Sequence, residues 1–210
     1  SLFSSDKTLS YTFPDAPKKY SHLYIPQSKF YTGIVDTHEI GWHQGELLIT
    51  NTIFSCISSM SHQHHFDLHW KPDFITELAP EDRCHLNGVA FVNDRAKYVT
   101  MFAISDEEKG WRKKGYDSGV LMDVDTGTVL IDNLAMPHSP VFHENKIYFL
   151  QSALGHVMCY DIASGNTEKL AEYNTFIRGM AIVDDLLFIG LSKIRTGSSF
   201  FSDFPSTAED

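Results

Sequence analysis

Four residues of the kinds that hold metals, move protons or bind anions recur in this chain inside one repeating frame: His38, His85, His138 and Arg178. Each opens a short run of small and apolar residues, followed by a polar turn and a β-rich run. After His38 the turn is His43-Gln44-Gly45-Glu46, and after His85 it is Asn93-Asp94-Arg95. After His138 it is His143-Glu144-Asn145-Lys146, and after Arg178 it is Asp184-Asp185. Three neutral imidazoles from three separate strands can ligate one divalent ion, such as zinc, manganese or calcium, and leave a position open for water. An arginine beside them can hold a carboxylate, sulfate or phosphate.

The elements that must position these residues follow from the frame. A repeat of roughly 40 to 50 residues made of short strands is the signature of propeller blades. The expected fold is therefore all-β, a β-propeller of the six-bladed type, with about four blades present. In a propeller the innermost strand of each blade starts beside the central axis, and the loop between strands two and three lies on the same face. By that geometry His38, His85, His138 and Arg178 converge on an axial pocket with Asn87 close behind, and the loops around it carry Asn51, Asp106, Trp111, Arg112, Ser152, Lys193 and Arg195.

Taken in order, residues 1–30 read as outer strands of a preceding blade, broken by Pro14, Pro17 and Pro26, with β-prone patches at Leu9 to Phe13 and His22 to Ile25. Successive blades are expected over 31–78, 79–133, 134–173 and 174–210 of one domain spanning 1–210. The first has strands at Thr37 to Trp42, Glu46 to Thr50 and Phe54 to Ser58, and its return segment is anchored by Trp70, Phe74 and Ile75. The second carries an insertion from Ser105 to Gly115. Two hairpins with matching turns, Asp125-Thr126-Gly127 and Ala163-Ser164-Gly165, mark the outer strands of the second and third blades. No long amphipathic helix is expected. The last repeat stops after two strands, so the chain reads as a piece of a longer protein, its ring completed by remaining blades or by another subunit.

A length of 210 residues, with 42% hydrophobic and 13% aromatic content, fits a β-rich globular domain. A formal charge of −10 argues against nucleic acid as a partner, since phosphate backbones need clustered Lys and Arg. Neither a signal peptide nor a membrane span is expected, and a cytoplasmic location is the default. The three cysteines, Cys56, Cys84 and Cys159, show no C-x-x-C spacing and are expected to be reduced and partly buried.

Other candidates weigh less. His62, His64, His65 and His69 crowd one segment without a carboxylate or cysteine at a metal-ligand spacing, which suits a solvated loop. Cys84 and His85 are strand neighbours whose side chains point to opposite faces, so they do not pair as nucleophile and base. Ser139 lacks the G-x-S-x-G elbow of a hydrolase serine. Trp111-Arg112, flanked by Gly110 and Gly115, reads either as a lid that stacks on a ligand or as a Trp packed on a blade edge.

Several blocks together resemble a mainly bacterial family of conserved hypothetical proteins that carry a domain of unknown function. They are Trp70-Lys71-Pro72-Asp73-Phe74-Ile75, Glu81-Asp82-Arg83-Cys84-His85-Leu86-Asn87-Gly88, Trp111-Arg112, Met136-Pro137-His138-Ser139-Pro140, Arg178-Gly179-Met180-Ala181 and Gly190-Leu191-Ser192-Lys193-Ile194-Arg195. The resemblance covers about residues 31–195 and implies a parent protein longer at both ends. More distantly, Leu86 to Phe91 and Ile177 to Ile182 are similar to blade cores of gluconolactonase and strictosidine-synthase propellers. Three functions stay open. The pocket binds a small anionic molecule, peptide or glycan through His38, His85, Asn87, His138, Arg178, Trp111, Arg112, Lys193 and Arg195. Alternatively His38, His85 and His138 hold a divalent metal for lyase or hydrolase chemistry, or the polar ring only locks neighbouring blades together.

Overall fold

The structure is a computed structural model that describes residues 2–5, 24–192 and 204–205. Leu9 to Phe13, His22, Lys193 and Arg195 lie outside the described residues. Strands β1 (Leu2–Ser5) and β2 (Tyr24–Ser28) form a two-stranded antiparallel sheet. Three four-stranded antiparallel meanders follow. The first joins β3 (Thr37–His43), β4 (Glu46–Asn51), β5 (Cys56–Ser59) and β6 (Asp67–Trp70). The second joins β7 (Leu86–Val92), β8 (Arg95–Met101), β9 (Gly119–Asp123) and β10 (Val129–Leu134). The third joins β11 (Pro137–His143), β12 (Lys146–Gln151), β13 (His156–Asp161) and β14 (Thr167–Glu172), and a fourth begins with β15 (Phe176–Val183) and β16 (Leu186–Ser192).

The hairpins form where the sequence supplies residues for left-handed backbone. Gln44 and Gly45, Asn93 and Asp94, and Glu144 and Asn145 all have positive φ, as a tight two-residue loop between twisted strands requires. Asp123 and Asp161 fix the outer hairpins by accepting the turn amides of Thr126 and Ser164, ahead of Gly127 and Gly165 at φ 66° and 72°. One expected boundary shifts. The third strand of the first blade starts at Cys56 rather than Phe54, because residues 52–55 close a turn in which Ser55 takes φ 55° and its amide donates to the Thr52 carbonyl.

Successive sheets stack face to face, which makes them propeller blades. Alternate residues of β9 serve two cores: Val120 and Met122 pack toward the first blade with Leu48, Ile57 and Leu86, while Leu121 packs toward the third with Ile147 and Phe149. Leu150, Val157 and Ile177 seal the third blade against the fourth. The inner strands β3, β7, β11 and β15 adjoin in that order. Their approach is close: a Cβ on Gly88 would lie 2.4 Å from Pro140 Cδ on the next inner strand. The outward faces of the first and fourth blades leave Ile40, Trp42, Leu186 and Phe188 exposed. No helix among the described residues is long and apolar enough to cross a membrane.

Candidate functional site

Each inner strand breaks its register where its polar residue sits, between Thr37 and Ile40, Leu86 and Gly88, His138 and Val141, and Ile177 and Met180. Such bulges re-aim side chains. Counted back from the positive-φ turn residues Gln44, Asn93, Glu144 and Asp184, the equivalent positions are His38, Asn87, His138 and Arg178. The sequence frame placed His85 in that set, and the structure corrects it. His85 stands two residues earlier with φ 53°, where the first and third blades have Asp36 at 49° and Met136 at 50°. Its ring nevertheless reaches the shared centre, lying edge-on to His38 with centroids 5.1 Å apart.

The first and third blades build the same imidazole clamp. His38 Nδ1 lies 2.9 Å from the Asp36 carbonyl oxygen and 2.9 Å from Thr52 Oγ1. His138 Nδ1 lies 3.0 Å from the Met136 carbonyl oxygen and 2.8 Å from Ser152 Oγ. A carbonyl oxygen only accepts, so in both rings Nδ1 carries the proton, and Nε2 of the neutral ring is a bare acceptor. Thr52 confirms the direction, because its own hydroxyl donates to the Leu86 carbonyl of the next blade at 2.6 Å. Neither Nε2 has a partner among the described residues.

In the second blade Asn87 spans two partners: its Oδ1 accepts from Thr100 at 2.8 Å and its Nδ2 donates to the Pro137 carbonyl at 3.0 Å. Phe102 stands between two imidazoles, stacked on His85 at 4.4 Å and edge-on to His138 at 5.1 Å. His138 is buried, and desolvation, then the Arg178 charge, hold its pKa well below the usual imidazole range. Burial, then His85 and Arg178, lower His38 in the same direction. Beside them Glu39, which sequence reasoning passed over, is pushed up by burial to about 7, with Arg178 pulling the other way. Among the described residues no three His, Cys, Asp or Glu side chains gather tightly enough to share a metal ion.

His85 has a different partner. Its Nδ1 lies 2.9 Å from Asp82 Oδ1, and the other carboxylate oxygen accepts from Trp111 Nε1 at 2.8 Å. Trp111 is therefore no open lid: it is buried, packs on His85 at 4.5 Å, and carries Arg112 over its outer face at 4.2 Å. The insertion is fastened where Lys109 N and Trp111 N donate to the carbonyls of Glu81 and Arg83. Asp106 pairs with Arg83 at 2.7 Å, and Asn51 Oδ1 accepts the Phe54 amide in a turn, so both serve the scaffold. Ser139 Oγ accepts the Gly179 amide across the blade boundary.

The other histidine segment stays away from the axis. His69 rests edge-on against His43, and residues 61–65 face residues 28–31 across an open cleft of about 510 Å³. Cys56, Cys84 and Cys159 are free and buried, and burial pushes the Cys56 and Cys84 thiols up to about 12, so neither is a nucleophile near neutral pH. The signals that sequence reasoning missed are a carboxylate three residues before His85 and Thr52, fourteen residues after His38 as Ser152 is after His138.

No curated protein matches the chain. Among solved structures, the computationally designed Ika4 protein is similar at 11% identity, with a TM-score of 0.47 over 80% of this chain and 93% of that one. Virginiamycin B lyase from Staphylococcus aureus gives 10% identity and a TM-score of 0.48 over 75% of this chain, which spans 49% of that enzyme. A streptogramin B lyase gives 13% identity and a TM-score of 0.43, with 81% and 66% covered. The model of one family, the domain of unknown function DUF4915, matches residues 3–209, and the chain belongs to that family.

Proposed function

We propose that the axial cluster binds a small molecule carrying one anionic group and adjacent hydroxyls, with an acidic sugar or hydroxy acid as the fitting class. The observation that carries this reading is the exchange of residues at one structural position. Two blades place a neutral imidazole there with Nδ1–H tied back, and the fourth places the guanidinium of Arg178, on an exposed residue. Bare Nε2 atoms accept from hydroxyls, and a guanidinium pairs with carboxylate or phosphate.

The test is calorimetric titration with galacturonate, gluconate, glucose 6-phosphate and sulfate against wild type, Arg178→Ala and His138→Gln. Arg178→Ala should weaken binding of an anionic member by about 2 kcal/mol, roughly thirtyfold in Kd. Equal affinity in wild type and Arg178→Ala removes the reading. A second reading has support of its own: Thr52 to Leu86, Asn87 to Pro137 and Gly179 to Ser139 are bonds between blades, as a purely structural ring would make. Under that reading Arg178→Ala leaves titrations flat, and Asn87→Ala lowers the melting temperature with no effect on any ligand.

A further inference from the structure

Asp82, His85 and Trp111 form a unit that anion binding does not require. The Asp82 carboxylate accepts His85 Nδ1–H at 2.9 Å through one oxygen and Trp111 Nε1–H at 2.8 Å through the other. Asp82 is itself anchored by its amide, which donates to the Ile53 carbonyl of the first blade at 2.8 Å. The imidazole packs against Phe102 and Trp111, with centroids 4.4 Å and 4.5 Å away, and those two rings touch each other at 5.2 Å. Its position is therefore fixed by the stacked Phe102 ring, by Trp111 and by the carboxylate at the Nδ1 edge. The remaining edge carries Nε2, which has no partner among the described residues, and the nearest ring on the axial side is His38 at 5.1 Å.

We propose that His85 is a general base, positioned by Asp82 and Trp111, that deprotonates water or a ligand hydroxyl beside the anionic group. An imidazole whose Nδ1–H donates a hydrogen bond to a buried carboxylate keeps Nε2 free to take a proton, and such a carboxylate holds the ring in that tautomer and orientation. His38 and His138 have the same tautomer but a carbonyl and a hydroxyl oxygen, not a carboxylate, within hydrogen-bond distance of Nδ1, so neither repeats the Asp82–His85 pair. The step balances without a metal or redox partner. The O–H proton moves to Nε2, the electron pair stays on the oxygen, and that oxygen attacks a carbonyl or phosphoryl centre of the ligand. The displaced group leaves with the electron pair of the broken bond, and the imidazolium returns its proton to the leaving group or to solvent.

This inference rests on the axial site being a ligand site, yet it is tested without the anion. The probe is p-nitrophenyl acetate, an uncharged ester, so loss of hydrolysis and loss of anion titration are read separately. His85 Nε2 takes a proton from water, the water oxygen attacks the acetyl carbonyl, and p-nitrophenolate leaves. Initial rates at fixed pH are compared for wild type, His85→Gln and Asp82→Asn, with circular dichroism and melting curves establishing that each variant is folded. His85→Gln should lose roughly tenfold or more of the protein-dependent rate, and Asp82→Asn should lose most of it. Imidazole 15N spectra provide the readout that a merely structural carboxylate would not move. They should show His85 protonated on Nδ1 in wild type and mixed between its two nitrogens in Asp82→Asn. If Asp82→Asn fails to fold, Trp111→Phe takes its place, with a smaller loss of rate and the same loosening of the tautomer. A His85→Gln rate equal to wild type overturns the proposal, as does an Asp82→Asn protein with unchanged rate and unchanged tautomer.

Discussion

Glu39→Gln should stabilise this protein at alkaline pH and leave it unchanged in acid. Burial lifts the Glu39 carboxyl from the ordinary 4.5 to about 7, against the opposing pull of Arg178. The folded state thus prefers the protonated acid, and the favourable contribution is complete below pH 4.5, where both folded and unfolded chains hold the proton. Between 4.5 and about 7 the unfolded chain ionises while the folded one does not, so stability falls as pH rises. Above about 7 both states are ionised and the loss levels off. Each pKa unit is worth 1.36 kcal/mol, which makes the full loss about 2 to 3 kcal/mol once solvent around this half-buried group is allowed for. The amide is uncharged at every pH and nearly the same shape, so the variant escapes the loss.

The assay is urea unfolding of wild type and Glu39→Gln at pH 4, 6, 7.5 and 9. The stability difference should be near zero at pH 4 and grow to about 2 to 3 kcal/mol by pH 9, equivalent to roughly 5 to 10 °C in melting temperature for a domain of this size. A difference that is flat with pH, or that favours wild type in alkali, would refute the placement of Glu39 in a desolvated site. The same carboxyl couples to the proposed ligand. An anion that neutralises Arg178 removes a cation that lowers Glu39, so binding near pH 7 should take up protons. Calorimetry in Tris and in HEPES reads that uptake as a difference in apparent enthalpy.

Four further outcomes are expected. Thr52→Val removes both the oxygen behind His38 Nδ1 and the donor to the Leu86 carbonyl at a fully buried position, and should cost about 1 to 3 kcal/mol in urea unfolding. Gly88→Ala sets a methyl against Pro140 and Thr100 between two inner strands and should destabilise by about 1 to 3 kcal/mol, visible as a lower melting temperature. Arg83→Leu breaks the pairs to Glu81 and Asp106, so limited proteolysis should cut faster within residues 104–115 than in wild type. Cys56 and Cys84 should resist iodoacetamide in the native protein near neutral pH and react on unfolding in guanidinium, as shown by mass spectrometry.

The blades were legible because they rest on local chemistry: Gln44-Gly45, Asn93-Asp94 and Glu144-Asn145 supply the positive φ that a tight hairpin needs, and strand residues alternate around them. The convergence of His38, His138 and Arg178 was legible for the same reason, since all three keep one distance from those turns. His85 was misplaced because the sequence offers two polar residues two apart, His85 and Asn87, and only the backbone tells which sits at the bulge and which takes the left-handed turn before it. Trp111 was ambiguous because a residue in an insertion has no repeat to be aligned with. What decides it is a buried hydrogen bond to Asp82, formed between segments 29 residues apart in the chain.

A ring that only locked blades together would favour one solution copied at every equivalent position, since the same neighbours recur at each boundary. The first and third blades do copy one: an imidazole tied to a carbonyl two residues back and to a hydroxyl at the end of the second strand. The second blade uses Asn87, which accepts from Thr100 of its own blade and joins the third blade through the Pro137 carbonyl without any imidazole. Arg178 then brings an exposed charge to a centre where burial and that same charge keep His38 and His138 neutral. A cation beside buried imidazoles works against their protonation, and an anionic partner gives that charge a use. An anion that raises the melting temperature of wild type and not of Arg178→Ala would identify that partner.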